Sequence, residues 1–230
     1  MTLLLTNDDG IDAPGIAALG QSLDQMGRPN WVKVAPVGQW SGCSHQVTRG
    51  GPLVIERRSP QAIAIHGTPA DCTRVGLAHL LPDTSMVLSG INAGGNMGAD
   101  IYASGTVAAV REAVLHRVPG IAISRYIHKG APIDWAIVAR HTAKVLEKLL
   151  AQPMVAGMFW NINLPHCTAA DPEPQIIECP LCTQPLPLEH QVSGDQFTFT
   201  GRYEERSRDP GSDLSVCLAG NIAVTSIRLW

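Results

Sequence analysis

Short apolar runs alternate with amphipathic stretches through the first 165 residues. Thr2 to Thr6 is an unbroken run, the pattern of a short strand covered on both faces. Pro14 then opens a helix that puts Ile16, Leu19, Leu23 and Met26 on one face, with Gly27 as its stop. Trp31 to Ala35 reads as the next strand and residues 36–50 as loop. Leu53–Ile55 and Ala62–His66 read as two short strands of a hairpin, with Ser59-Pro60 in its turn. Thr68-Pro69-Ala70-Asp71 is a helix start: Thr68 can cap, Pro69 suits the first turn, and Asp71 closes a capping box. Pro82 ends that helix. Met86 to Leu88 predicts a buried strand, followed by a Gly/Asn loop from Gly90 to Gly98. Ser104-Gly105-Thr106 starts a helix with Val107, Val110 and Val114 inward. Gly120–Ser124 is another strand, Asp134 caps a long helix through Leu149, and Phe159–Leu164 is a further strand.

Strands alternating with helices over 1–165 predict an α/β fold with a doubly wound, mostly parallel sheet. The pattern changes after Pro165. Prolines cluster from Pro172 to Pro187, helical periodicity is lost, and Phe197–Phe199 looks like a strand. We therefore divide one domain into a core (1–165), an antiparallel β-rich extension or oligomerisation arm (166–215), and a strand returning to the core (216–230, through Ile222–Ile227).

Composition narrows the function classes. The chain has 230 residues, 45% apolar and 16% charged, which is enough for a core without staples. Glycine (22) and proline (17) together exceed their usual share, so much of the fold is constructed loop. Seventeen basic against twenty acidic residues give net charge -3, too mild to hold a nucleic-acid polymer by charge. Apolar runs fall short of a membrane span, and the N-terminal run lacks the flanks of a signal peptide, so a cytoplasmic protein is expected. The six cysteines are then reduced thiols. Cys179-Pro180-Leu181-Cys182 has zinc-knuckle spacing, but with no second such pair a set of loop thiols is the better reading.

Three polar segments follow strands, where open parallel sheets bind ligands. Asn7-Asp8-Asp9-Gly10 sets two carboxylates side by side, a repulsion that a bound cation relieves. A helix-capping turn is the plainer alternative. Ser41-Gly42-Cys43-Ser44-His45 offers a hydroxyl ligand and, in His45, an acid, a base or a phosphate donor; an ordinary Ser/Gly turn is the alternative. Gly90 to Gly98 is no dinucleotide fingerprint, but Asn92 can give a carbonyl oxygen, and Gly94-Gly95 permits close approach to an anion. Ser104-Gly105-Thr106 at a helix N-terminus is a ready phosphate site, or a plain cap. Asp8, Asp9, Ser41 and Asn92 all offer oxygen, which suits Mg²⁺ or Mn²⁺ better than zinc. An oxygen-bound cation beside a helix-end anion site implies phosphate chemistry.

These segments carry a resemblance. Thr6-Asn7-Asp8-Asp9-Gly10-Ile11 with Ala13-Pro14-Gly15, Val34-Ala35-Pro36, Ser41-Gly42, Gly67 to Cys72, Ser89-Gly90-Ile91-Asn92-Ala93-Gly94 and Ser104 to Ala109 closely resemble the SurE survival-protein family. The likeness runs in order through about residue 125. It resumes weakly at Asn161–Pro165, Ser212-Asp213 and Ala223–Thr225, and 166–215 matches poorly. The resemblance implies a Rossmann-like α/β core and a metal-dependent 5'/3'-nucleotidase that hydrolyses nucleoside monophosphates to nucleoside and phosphate, with exopolyphosphatase action also open. It implies Asp8, Asp9, Ser41 and Asn92 as ligands of one divalent cation per subunit, with Asp8 or Asp9 as a possible catalytic base. It implies His45, Asn96, Ser104, Gly105 and Thr106 around the phosphate, and a homodimer or homotetramer that exchanges C-terminal arms. Val37 and Trp40 stand where the family usually has Asp and Arg. Two rivals remain: a haloacid-dehalogenase-like phosphatase with an aspartyl-phosphate at Asp8, whose Asp-x-Asp pattern is not met, and a non-catalytic nucleotide-binding module.

Overall fold

The computed structural model describes residues 2–128 and 131–230. Its centre is a sheet of nine strands. In chain order these are β1 (Thr2–Thr6), β2 (Trp31–Pro36), β3 (Ile55–Ser59), β4 (Ala62–Ile65), β5 (Thr84–Ala93), β6 (Gly120–Arg125), β7 (Met158–Leu164), β8 (Ile176–Glu178) and, after a separate hairpin of β9 (His190–Ser193) and β10 (Gln196–Phe199), β11 (Ile222–Arg228). Across the sheet the order is β3-β4-β2-β1-β5-β6-β7-β11-β8. Pairing from β4 through β7 is parallel; β3 joins β4 and β11 joins β7 antiparallel, and β8 joins β11 parallel. The expected mostly parallel α/β sheet with a small antiparallel element near the C-terminus is what the structure has.

Helices α1 (Pro14–Gln25), α2 (Pro69–Val75), α3 (Gly105–Leu115), α4 (Trp135–Leu150) and α5 (Asp213–Leu218) complete the fold. α1 packs with α4, and α2 packs with α3. In β1, Leu3 and Leu5 enter the core shared with α1 and α4, whereas Leu4 joins the cluster holding Cys72 of α2 and Ala113 of α3. Both faces of β1 are thus covered, which is why its sequence is a continuous apolar run. The helix starts form as their residues dictate. The amide of Asp71 donates to Thr68 Oγ1 (3.2 Å) while Thr68 N donates to Asp71 Oδ2 (3.0 Å). Ser104 Oγ accepts from Val107 N (3.1 Å) and Asp134 from Ala136 N (3.0 Å).

Three elements differ from expectation. β3 begins at Ile55 rather than Leu53 and runs through Glu56, Arg57 and Arg58. It is an exposed edge strand, formed by backbone pairing with β4 and not by burying side chains, so apolar pattern does not mark it. β5 extends ten residues to Ala93, well past Leu88 and into the expected Gly/Asn loop. Gly90 serves close packing there and not a turn: a Cβ would sit 2.2 Å from the carbonyl oxygen of Ile123. α5 is one and a half turns long, too short for its period to show. Among the described residues no helix is long and apolar enough to cross a membrane.

Candidate active site

The chain winds away from β1 in both directions, to β2 on one side and β5 on the other. The crevice beyond the carboxyl ends of β1 and β5 is therefore the topological switch point, the expected ligand position in such a sheet. Asp8 and Asp9 follow β1, Asn92 lies near the end of β5, and α3 begins beside them.

Asp8 is 6% exposed, and its Oδ1 accepts a 2.5 Å hydrogen bond from Thr106 Oγ1 in the first turn of α3. Burial pushes its carboxyl up to about 6; the Thr106 bond opposes this and the charge of Asp9 adds to it. Asp9, half-buried and likewise raised by burial, accepts from the amide of Ala93 on β5 (3.1 Å). Gly105 lets α3 come this close. A Cβ there would lie 2.8 Å from Asp8 Cβ, 3.0 Å from Asp8 Oδ2 and 2.9 Å from Cys43 Sγ. Burial and the nearby Asp8 raise the Cys43 thiol to about 11, which disfavours a thiolate there.

The loop after β2 lies across this end of α3. Trp40 N donates to the carbonyl of Asp8 (2.7 Å), Ser44 N to that of Ala103 (2.9 Å), and Ser44 Oγ to that of Tyr102 (2.6 Å). Ser41 is carried on this loop, exposed, its hydroxyl accepting from Gln39 Nε2 (2.8 Å). Asn92 is half-buried and uses its amide nitrogen on the carbonyl of Gly94 (2.7 Å), a bond that orients the side chain. Ser104 caps α3 through Val107 N, at the helix end where Gly105 and Thr106 lie against Asp8.

Two other sequence candidates are held by partners elsewhere. Asn96 donates to Ser124 Oγ (2.7 Å) through its side chain. Its backbone is clamped by β7: Asn163 Oδ1 accepts from its amide (2.8 Å), and Asn161 and Asn163 donate to its carbonyl (2.8 and 3.0 Å). His45 Nε2 is 2.7 Å from Glu112 Oε2, about 9 Å along α3 from Thr106 by helical rise. Pattern reading missed Glu112. It is 1% exposed and also binds Arg74 and His116. Burial alone would raise its carboxyl, but the bonds from His45, Arg74 and His116 outweigh that and hold it down at about 2. Asp213, a position of the family likeness to which the sequence assigned no role, accepts from Gly98 N (2.9 Å) and Cys182 N (2.8 Å), tying 182–213 to the loop after β5. Cys179 and Cys182 are buried with Leu214, Val216 and Cys217.

The donors fit a hard divalent cation. Two adjoining carboxylates share the strand end, burial disfavours their charge, and Asn7 Oδ1 beside them is buried with no hydrogen-bond partner among the described residues. A cation relieves all three conditions at once.

Fold and crevice together define a doubly wound α/β protein with an acidic, oxygen-rich cleft at its switch point. The family model described as Survival protein SurE matches residues 3–184, and the chain belongs to that family. A Nostoc sp. protein named "Putative 5'-nucleotidase" is 51% identical over 229 residues, spanning the whole of both chains. The protein named 5'-nucleotidase SurE of Methylobacterium radiotolerans is 34% identical over 238 residues, covering all of this chain and 93% of its own. The crystal structure of the SurE protein from Aquifex aeolicus superposes with a TM-score of 0.88 at 29% identity, covering all of this chain and 94% of that one.

Proposed function

We propose that the protein is a divalent-metal-dependent 5'-nucleotidase, a phosphoric monoester hydrolase releasing nucleoside and phosphate from nucleoside monophosphates. One observation supports this beyond family membership: Asp8 is buried and hydrogen-bonded to the first turn of α3, so a cation held by Asp8 would lie against an anion held at that helix end. Asp8, Asp9, Ser41 and Asn92 hold the cation, Mg²⁺ or Mn²⁺ by donor chemistry. When bound, it neutralises phosphoryl charge and acidifies water. The α3 amides with Ser104, Gly105 and Thr106 orient the phosphoryl oxygens. Asn96 and His45 form the surrounding wall, Asn96 fixed by β7 and His45 by Glu112. Asp9, the more exposed carboxylate, would be the one to accept a proton from the attacking water. The protein works in the cytoplasm as a dimer or tetramer. Residues 1–165 form its catalytic core, 216–230 a returning strand, and 166–215 an arm whose hairpin exposes Val192, Phe197 and Phe199.

The test is phosphate release from a panel of nucleotides with Mg²⁺, Mn²⁺ and chelator, for the native chain, Asp8→Asn and Asp9→Asn. Release should require the cation and fall at least about a hundredfold in each variant. Near-native release from either variant in Mn²⁺ would refute the site.

A further inference from the structure

Asp213 is fully buried, and among the described residues its carboxylate is met by backbone N–H groups alone. Oδ1 accepts from Cys182 N and Leu214 N, both at 2.8 Å, and Oδ2 accepts from Gly98 N at 2.9 Å. Burial pushes this carboxyl up, and the three N–H bonds oppose the rise. A carboxylate satisfied in this way orders main chain, and the three amides belong to three separate segments.

Two of those segments bound the outer arm. The chain passes into it after Cys182 and returns at Asp213, whose own amide donates to the carbonyl of Pro180 (2.9 Å). The third leads to the phosphate end of α3. Gly98 opens a 3₁₀ turn, Gly98–Tyr102, that runs straight into the Ser104 cap: the Asp100 carbonyl accepts from Ala103 N and Ser104 N, both at 3.1 Å. The loop that carries Ser41 rests on the same turn through Ser44.

The turn is seated closely on the arm. Gly98 has φ +55°, and a Cβ there would lie 3.1 Å from the Cys182 carbonyl oxygen and 3.2 Å from Cys182 Cβ. Two residues on, Asp100 Oδ2 accepts from Arg206 Nη1 (2.7 Å) and Tyr203 Oη (2.9 Å). Five residues of turn thus stand between the arm and the helix end, which leaves little slack between them.

We propose that Asp213 is a positioning residue for the phosphate: through Gly98 it sets where the first turn of α3 stands relative to Asp8 and Asp9. It acts through the backbone and touches no substrate. The inference rests on the nucleotidase reading and deepens it by naming what fixes the helix end that the phosphate uses.

Asp213→Asn separates the ties. Its amide oxygen can keep both bonds made at Oδ1, but the NH₂ group then faces the Gly98 N–H, donor against donor. Gly98→Ala disturbs the same tie from the other side by setting a Cβ against Cys182. Asp209→Ala is the control. Asp209 holds the arm entry through Thr183 N (2.7 Å) and Gln184 Nε2 (2.5 Å), so its loss loosens the arm root and leaves the Gly98 tie in place.

With Mn²⁺ present, inorganic phosphate binding is read by calorimetry, and kcat and KM with AMP and p-nitrophenyl phosphate. The helix end holds phosphate in ground and transition states alike, so the loss falls on KM. KM should rise about tenfold for both esters in Asp213→Asn and in Gly98→Ala, phosphate binding should weaken in parallel, and kcat should stay within about threefold. Mn²⁺ affinity should also stay within about threefold, because no proposed cation donor lies on the turn. Asp209→Ala should leave every constant within about twofold. Phosphate affinity within about twofold of native in Asp213→Asn, or in Gly98→Ala should the asparagine variant not fold, overturns the positioning role. Equal losses in Asp209→Ala, joint loss of Mn²⁺ and phosphate binding, or a native chain that binds no phosphate also overturn it. If no ester is hydrolysed yet phosphate binding follows the expected pattern, the nucleotidase reading fails and the positioning role stands.

Discussion

Replacing Glu112 by glutamine should destabilise the protein by about 2 kcal/mol at neutral pH. The carboxyl is held at about 2 instead of its ordinary 4.5, a difference worth roughly 3 kcal/mol if fully realised. Glu112 itself is buried, but Arg74 and His116 have side chains 47% and 54% exposed, so water screens part of that pairing. Hence the smaller figure. For a chain of this size it lowers Tm by about 4–8 °C. The pH dependence has a definite sign. A carboxyl depressed in the folded state stabilises above its unfolded value of 4.5, and that stabilisation is lost as pH falls through about 2. The gap between native chain and Glu112→Gln should be full at pH 7, and less than half of it should remain at pH 3. Urea denaturation followed by tryptophan fluorescence at stepped pH measures it. A gap below about 0.5 kcal/mol at pH 7, or one unchanged at pH 3, refutes the electrostatic account. Mn²⁺ affinity should move no more than about threefold, because the Ser41 loop keeps its bonds from Trp40 and Ser44 to Asp8, Tyr102 and Ala103.

Two changes probe the cleft itself. Thr106→Val removes the donor that favours ionised Asp8; its carboxyl should rise above about 6 and Mn²⁺ affinity at pH 7 fall about tenfold, recovering as pH is raised, and a pH-independent affinity measured by calorimetry would contradict this. Gly105→Ala inserts a Cβ within 2.8 Å of Asp8 Cβ, so kcat/KM for AMP should drop about a hundredfold while the loss of stability on urea denaturation stays within about 1–3 kcal/mol.

Features set by neighbours in sequence are legible without coordinates. The capping box at Thr68 and Asp71, the cap at Ser104 and the carboxylate pair after β1 each depend on residues within a few positions, and each forms as its residue types require. Glu112 gives no such signal. It sits in a helix where glutamate is ordinary, and its partners His45 and Arg74 are 67 and 38 residues distant. Arg206 and Asp100 meet across 106 residues, and nothing local marks either. β5 misled for a different reason: glycine and asparagine usually signal turns, but at Gly90 the missing side chain makes room for the next strand's backbone. Distance along the chain, more than polarity, decided what could be read.

The position of β11 also has a consequence for synthesis. It lies between β7 and β8, and among the described residues β8 has no other strand beside it. Ile176 emerges from the ribosome well before Ile222, the residue it pairs with. Until then the segment that leads into the arm has no edge to dock on, whereas β1 to β6 already have their neighbours and β7 has one of its two. A nascent chain stalled before residue 222 should have the cleft between β1 and β5 already formed, with its arm still open to proteases.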